Sequence, residues 1–174
     1  LLIGVAETCE PCAGEGNLVY AMRARGITVH ASDIIDRGCF NARVLDFFAM
    51  QAPPANCRVM LTNPPFRRSM EMIEHALAIG FDTVIVLAKL GFLCTADRYL
   101  RLHMPGHLRR VYVLAERLQD MHDRNFVGKR ASQSQVHAWL VIDRNYRGAA
   151  TIVPVSINEP TARMSWATEP GDAT

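Results

Sequence analysis

Asn63-Pro64-Pro65-Phe66 follows the apolar run Val59-Met60-Leu61 and precedes Arg67 and Arg68. Ending a strand takes one proline, whereas an amide, two prolines and an aromatic in succession can do chemistry. The Asn63 side-chain carbonyl accepts one hydrogen from an amino group, and the Pro64 carbonyl, on a residue of fixed φ, is held as a second acceptor. Pro65 has no N–H to compete for nearby acceptors. Two acceptors converging on one NH2 suit the exocyclic amine of a nucleobase, a poor nucleophile because its lone pair is delocalised into the ring. Gripping both hydrogens favours a pyramidal nitrogen and stabilises the positive charge that develops as it attacks an electrophilic methyl group. Phe66 would stack on a base flipped out of its helix, a contact worth about 1–3 kcal/mol. Standing alone, the same four residues also read as a strand terminator, an Asn turn and a core Phe.

Three further groups give that reading company. Glu10-Pro11-Cys12-Ala13-Gly14-Glu15-Gly16 follows the first apolar run, and glycines at alternate positions let the backbone turn sharply and approach a ligand at the start of a helix. It is neither the G-x-G-x-x-G fingerprint nor a P-loop. Asp33 ends the next run, where a carboxylate can accept from both hydroxyls of a ribose. Asp46 ends the third, placed to accept from the amine of an adenine. Each acid alone also fits helix capping or a solvated loop, but the order after a glycine loop points to an adenosyl ligand.

The elements that must position these groups alternate. Strands are expected at residues 6–10, 28–32, 43–45, 59–62, 83–88, 108–114 and 136–143. Helices are expected at 17–25, at 69–79 with Ser69 as its cap, and from residue 96 to 103. This pattern predicts an α/β fold, a doubly wound, mostly parallel sheet with helices on both faces. Only the polar, basic stretch 115–134 separates the last two strands, so they are expected to pair antiparallel at the sheet edge. Residues 1–158 read as a single domain and 159–174 as a flexible C-terminal tail.

Composition narrows the class. With 174 residues, 49% hydrophobic and 21% charged, the chain has the make-up of one ordinary globular domain. Its apolar runs are too short to span a bilayer and no signal peptide is visible, so a cytoplasmic location is the default and no membrane partner is expected. The chain opens at Leu1, already close to a strand, and a preceding segment is expected. The net charge of +2 is uneven: residues 101–147 carry nine Lys/Arg against four Asp/Glu, as a polyanion-binding face or an ordinary solvated surface would. Five cysteines without secretory features favour reduced thiols, and Cys9-x-x-Cys12 lacks a second matching pair, so no metal site is expected.

EPCAGEG (10–16), ASDI (31–34), LDFF (45–48) and TNPPF (62–66), in this order, resemble the S-adenosylmethionine-dependent adenine-N6 DNA methyltransferases. VIVLAKLGFL (84–93) and HAWLVID (137–143) look like the small phage and prophage members of that group. The resemblance spans roughly residues 5–145. It implies a Rossmann-like class I methyltransferase fold, a seven-stranded sheet with the last strand antiparallel, and S-adenosylmethionine as cofactor. Carried over by position, Glu10, Ala13, Gly14 and Gly16 would surround the methionine part of the cofactor, Asp33 and Ile34 the ribose and adenine, and Asp46 and Phe47 the adenine amine. Asn63, Pro64, Pro65 and Phe66 would form the catalytic segment, transferring methyl directly to a flipped-out adenine.

Arg67, Arg68, Arg117, Arg124, Lys129 and Arg130 are the expected contacts to substrate phosphates. DNA is the leading substrate, with RNA a close rival because the same tetrapeptide serves RNA adenines. Protein glutamine is a third amine-bearing acceptor, and Phe66 counts against it, since the related group that uses it resembles NPPY. The chain departs from the larger members in having no insertion long enough for a separate target-recognition region. That leaves room for a homodimer or a protein partner in recognition, and a non-catalytic, cofactor-binding or nucleic-acid-binding subunit is the alternative from another class.

Overall fold

A computed structural model of the chain describes residues 2, 4–54, 57–118, 135–156 and 158. Eight strands form one sheet: β1 (Glu7–Glu10), β2 (Thr28–Asp33), β3 (Arg43–Val44), β4 (Val59–Thr62), β5 (Thr83–Lys89), β6 (Leu108–Leu114), β7 (His137–Asp143) and β8 (Thr151–Val155). Their spatial order is β3-β2-β1-β4-β5-β7-β6-β8. Only β7 runs against its neighbours, pairing antiparallel with β5 and with β6.

The expected reversal at the seventh strand is present, but its position needs a correction. The β6–β7 pair is not the sheet edge, because β8 pairs parallel with β6 from Arg110↔Thr151 to Leu114↔Val155 and takes that place. Pro154 hid β8 in the sequence, since proline argues against a strand. It cannot donate to a ladder, and an edge is where it is tolerated. The strand β8 is thus an addition to the seven expected.

The strands alternate between two cores, as a period of two requires. Met60, Val84 and Val86 face one core, in which α2 (Ser69–Ile79) buries Met70, Ile73 and Ala76. Leu61 and Ile85 face the other, with Val19 and Met22 of α1 (Asn17–Arg23). Trp139 is half-buried against this second core. A third helical segment joins a short α3 (Ala96–Arg98) to a π-helical turn (Tyr99–His103), and Thr95 caps it by accepting from the Arg98 N–H at 3.1 Å. Ser69 does not cap α2 as expected. It is the first helical residue, and its hydroxyl donates backwards to the carbonyls of Pro65 and Phe66. Among the described residues no helix is long and apolar enough to cross a membrane.

Between β1 and β4 the chain order reverses, since β1 connects outward to β2 while its other neighbour is β4. Ligands of open α/β sheets sit at such a point, beyond the carboxyl ends of the strands. The glycine loop leaves β1 there, and Asn63-Pro64-Pro65-Phe66 leaves β4.

Candidate functional site

The glycine loop is pinned from below by three backbone donors. The Cys12 N–H donates to Glu10 Oε1 at 3.0 Å, the Ala13 N–H to the Ser32 carbonyl at 2.9 Å, and the Gly14 N–H to Asp33 Oδ2 at 2.8 Å. Gly16 caps α1 at φ 92°, and a Cβ there would stand 2.6 Å from the Tyr20 ring and 2.9 Å from Cys39 Sγ. Only glycine fits both demands.

The segment Asn63-Pro64-Pro65-Phe66 is anchored at both ends. Thr62, fully buried, donates its hydroxyl to Glu10 Oε1 at 2.6 Å, which ties β4 to β1. On the far side a 3-10 turn (Phe66–Arg68) begins with the Arg68 N–H donating to the Pro65 carbonyl at 2.8 Å. Between these anchors Pro64 is buried and Asn63 half-buried, and the Asn63 amide has no hydrogen-bond partner among the described residues. A half-buried amide left uncommitted has its oxygen free to accept from an incoming amine.

Both groups open on one cleft of about 510 Å³, a size suited to a small ligand. One half is lined by Pro11, Cys12 and Gly14 with Asp33, Ile34, Asp46, Phe47 and Phe48; the other by Asn63, Pro64, Pro65 and Phe66 with Arg68 and Met72. Arg37 also reaches the cleft, its Nε 3.8 Å from Asp33 Oδ1. Of the expected cofactor residues, Gly14, Asp33, Ile34, Asp46 and Phe47 therefore line the cleft. Glu10, Ala13 and Gly16 lie outside the lining and hold the loop in shape. Asp46 also caps the short turn Phe47–Ala49, its Oδ1 accepting from the Phe48 N–H at 3.0 Å.

Burial sets the protonation of two groups beside the cleft. Desolvation, the largest influence on Glu10, pushes its carboxyl up to about 8 against the pull of the Thr62 and Cys12 hydrogen bonds, with the Asp33 charge adding to the rise. Its Oε2 has no hydrogen-bond partner among the described residues, which fits a carboxyl that stays protonated at neutral pH. Desolvation likewise pushes the Cys12 thiol up to about 12, so it meets Met72 Sδ at 3.9 Å as a neutral thiol. All five cysteines are free, and no group of three or more potential metal ligands gathers among the described residues.

Phe66, 36% exposed, borders a second cluster. Its ring centroid lies 5.9 Å from that of His137 and 5.2 Å from Lys89 Nζ. Of the expected phosphate contacts, Arg67 is exposed and Arg68 places its guanidinium 4.1 Å from the centre of the Phe48 ring, inside the cleft. Arg117 is exposed after β6, whereas Arg124, Lys129 and Arg130 lie outside the described residues. Thr62, Phe48 and Lys89 lie within the motifs quoted from the sequence but were given no role there. Lys89 did carry a signal, as the lone charge closing the apolar run of β5.

The structure is similar to a predicted O-methyltransferase from Agrobacterium tumefaciens, with a TM-score of 0.56 and 16% identity, over 95% of this chain and 85% of that one. The fold is that of the class I methyltransferases. It is also similar to the 23S rRNA methyltransferase ErmE (TM-score 0.54, 18% identity, 82% of this chain). A Streptococcus pneumoniae protein assigned as a candidate tRNA (m1A22) methyltransferase matches with a TM-score of 0.51 and 11% identity over 80% of this chain. The chain spans 63% and 64% of the lengths of the latter two. The sequence matches no family model and no curated protein.

Proposed function

We infer that the chain is an S-adenosylmethionine-dependent methyltransferase whose acceptor is the N6 amine of adenine in nucleic acid, with DNA as the leading substrate. The observation that carries this reading is the one cleft shared by Asp33 at the end of β2, by Asp46 just after β3 and by Asn63-Pro64-Pro65-Phe66. The residues fit the cofactor: Asp33 is a carboxylate for ribose hydroxyls, Ile34, Phe47 and Phe48 are apolar walls for an adenine, and Asp46 is an acceptor for its amine. When bound, S-adenosylmethionine supplies a methyl group on a cationic sulfur, an electrophile for which no metal is needed.

The chain's own contribution is positioning and electrostatics. Asn63 Oδ1 and the Pro64 carbonyl accept the two amine hydrogens, which localises the lone pair and stabilises the positive charge developing on nitrogen. Anchoring through Thr62 and Ser69 holds the backbone on either side of this segment, and with it the Pro64 carbonyl. Phe66, 36% exposed, offers ring surface against which a flipped base packs.

A second reading, RNA as the polymer, draws on the structural similarity to a protein named as a 23S rRNA methyltransferase. One experiment addresses both. Labelled methyl transfer to DNA and RNA, followed by nucleoside mass spectrometry, is expected to yield N6-methyladenine in DNA; product in RNA alone selects the second reading. Absence of N6-methyladenine from both polymers overturns the assignment.

A further inference from the structure

The carboxyl end of β5 and the amino end of β7 meet beside the proposed acceptor site. Lys89 pairs in register with His137, and the Leu90 N–H donates to the Val136 carbonyl at 2.8 Å, closing the ladder just beyond them. The β4–β5 ladder ends at Thr62↔Val86, and beyond it Lys89, the last residue of β5, places its Nζ 5.2 Å from the centroid of the Phe66 ring.

Lys89 is half-buried there and has no anionic partner among the described residues. Among the described residues no carboxylate stands within ion-pair distance of its ammonium, and its recorded neighbours are the Phe66 ring at 5.2 Å and His137. The ring face compensates part of the lost hydration through cation–π attraction. A formal charge taken partly out of water is otherwise costly, and an opposite charge in the same place relieves that cost. His137 does not supply one. It is 6% exposed, its Nδ1 has no hydrogen-bond partner among the described residues, and burial first, then the Lys89 charge, hold it below the ordinary imidazole value against a weaker backbone contribution from Gln135. A neutral imidazole thus lies beside Phe66, and the Lys89 cation has no carboxylate partner among the described residues.

We propose that Lys89 is a substrate-positioning residue that pairs with a backbone phosphate flanking the acceptor base, so that the acceptor must be a nucleotide within a strand. The inference rests on the function proposed above and specifies how its substrate is held. His137 serves as the wall behind Phe66. Lys89 then does for the strand what Asn63 does for the amine, and a free nucleoside, lacking the phosphate, loses that contact.

The test uses the full chain with Lys89→Met, which keeps the aliphatic stem, and Lys89→Arg, which keeps the charge. Binding of fluorescent single-stranded oligodeoxynucleotide and oligoribonucleotide is titrated against salt, and methyl transfer is measured separately. Lys89→Met is expected to weaken binding about tenfold, the loss of one charge-assisted contact. The slope of log affinity against log salt should become shallower by about 0.7, the value for one phosphate on a single strand. Lys89→Arg should restore both. Unchanged affinity and slope in Lys89→Met, with wild-type melting temperature, overturn the proposal. Lys89-dependent binding without methyl transfer by the wild type supports the phosphate contact while overturning the methyl-transfer reading, and a wild type that binds neither strand overturns both.

Discussion

Replacing Glu10 by Gln tests whether the buried link between the glycine loop and β4 is held by a neutral group. Glu10 is fully buried, and desolvation raises its carboxyl from an ordinary 4.5 to about 8. Between those values the folded chain keeps a proton that the unfolded chain has released, so this group makes stability fall as pH rises. Each pH unit costs about 1.4 kcal/mol, and the loss between about pH 5 and pH 8 accumulates to about 3 to 4 kcal/mol. Glutamine keeps the shape and an amide oxygen able to accept from Thr62 and Cys12, but it does not titrate. Urea unfolding of both proteins under reducing conditions, followed by circular dichroism across that pH range, isolates the contribution because every other titrating group cancels in the difference. The stability of Glu10→Gln relative to wild type should climb steadily with pH by about the stated amount. Parallel pH profiles would show that Glu10 does not carry a raised value, and the explanation of its unpartnered Oε2 would fail with it.

The remaining predictions concern the loop and the ribose acid. Gly16→Ala puts a Cβ 2.6 Å from the Tyr20 ring at φ 92°. The combined clash and left-handed strain should cost at least about 1–3 kcal/mol, read as a lower denaturation midpoint, and an unchanged midpoint would mean that the loop relaxes freely. Asp33→Asn removes the charge that the Gly14 N–H meets at 2.8 Å and that a ribose would share. Calorimetry should show S-adenosylmethionine affinity falling about ten- to a hundredfold, from lost charge-assisted hydrogen bonds, whereas equal affinity would remove Asp33 from the cofactor site.

The sheet was largely legible because its strands are short apolar runs separated by amphipathic helices, a signal set by burial on both faces. The β4–α2 region shows this best, with both elements where the periodicity put them. Strand β8 was not legible, since Ile152 is 70% exposed and Pro154 interrupts the run, so neither burial nor propensity marks it. At the site, sequence order was enough to bring Asp33, Asp46 and Asn63 to one cleft. What it could not give was the division of labour among neighbours. Glu10 reads as a ligand-facing acid at the end of β1, yet the pleat turns it into the interior, where Thr62 and the Cys12 N–H take it up. The pairing of Lys89 with His137 depends on the register of an antiparallel strand joined through a long connection, which no local pattern encodes.

The central claim, that the Asn63 amide and its neighbouring carbonyl grip the reacting amine, is tested most directly by Asn63→Ala. The measurement pairs methyl transfer from labelled S-adenosylmethionine to adenine-containing DNA and RNA with calorimetric cofactor binding on the same preparation. The account predicts that transfer falls by at least about a hundredfold, as when a donor or acceptor tuned to the transition state is removed, while cofactor affinity stays within about twofold. Turnover retained at a wild-type rate would contradict it.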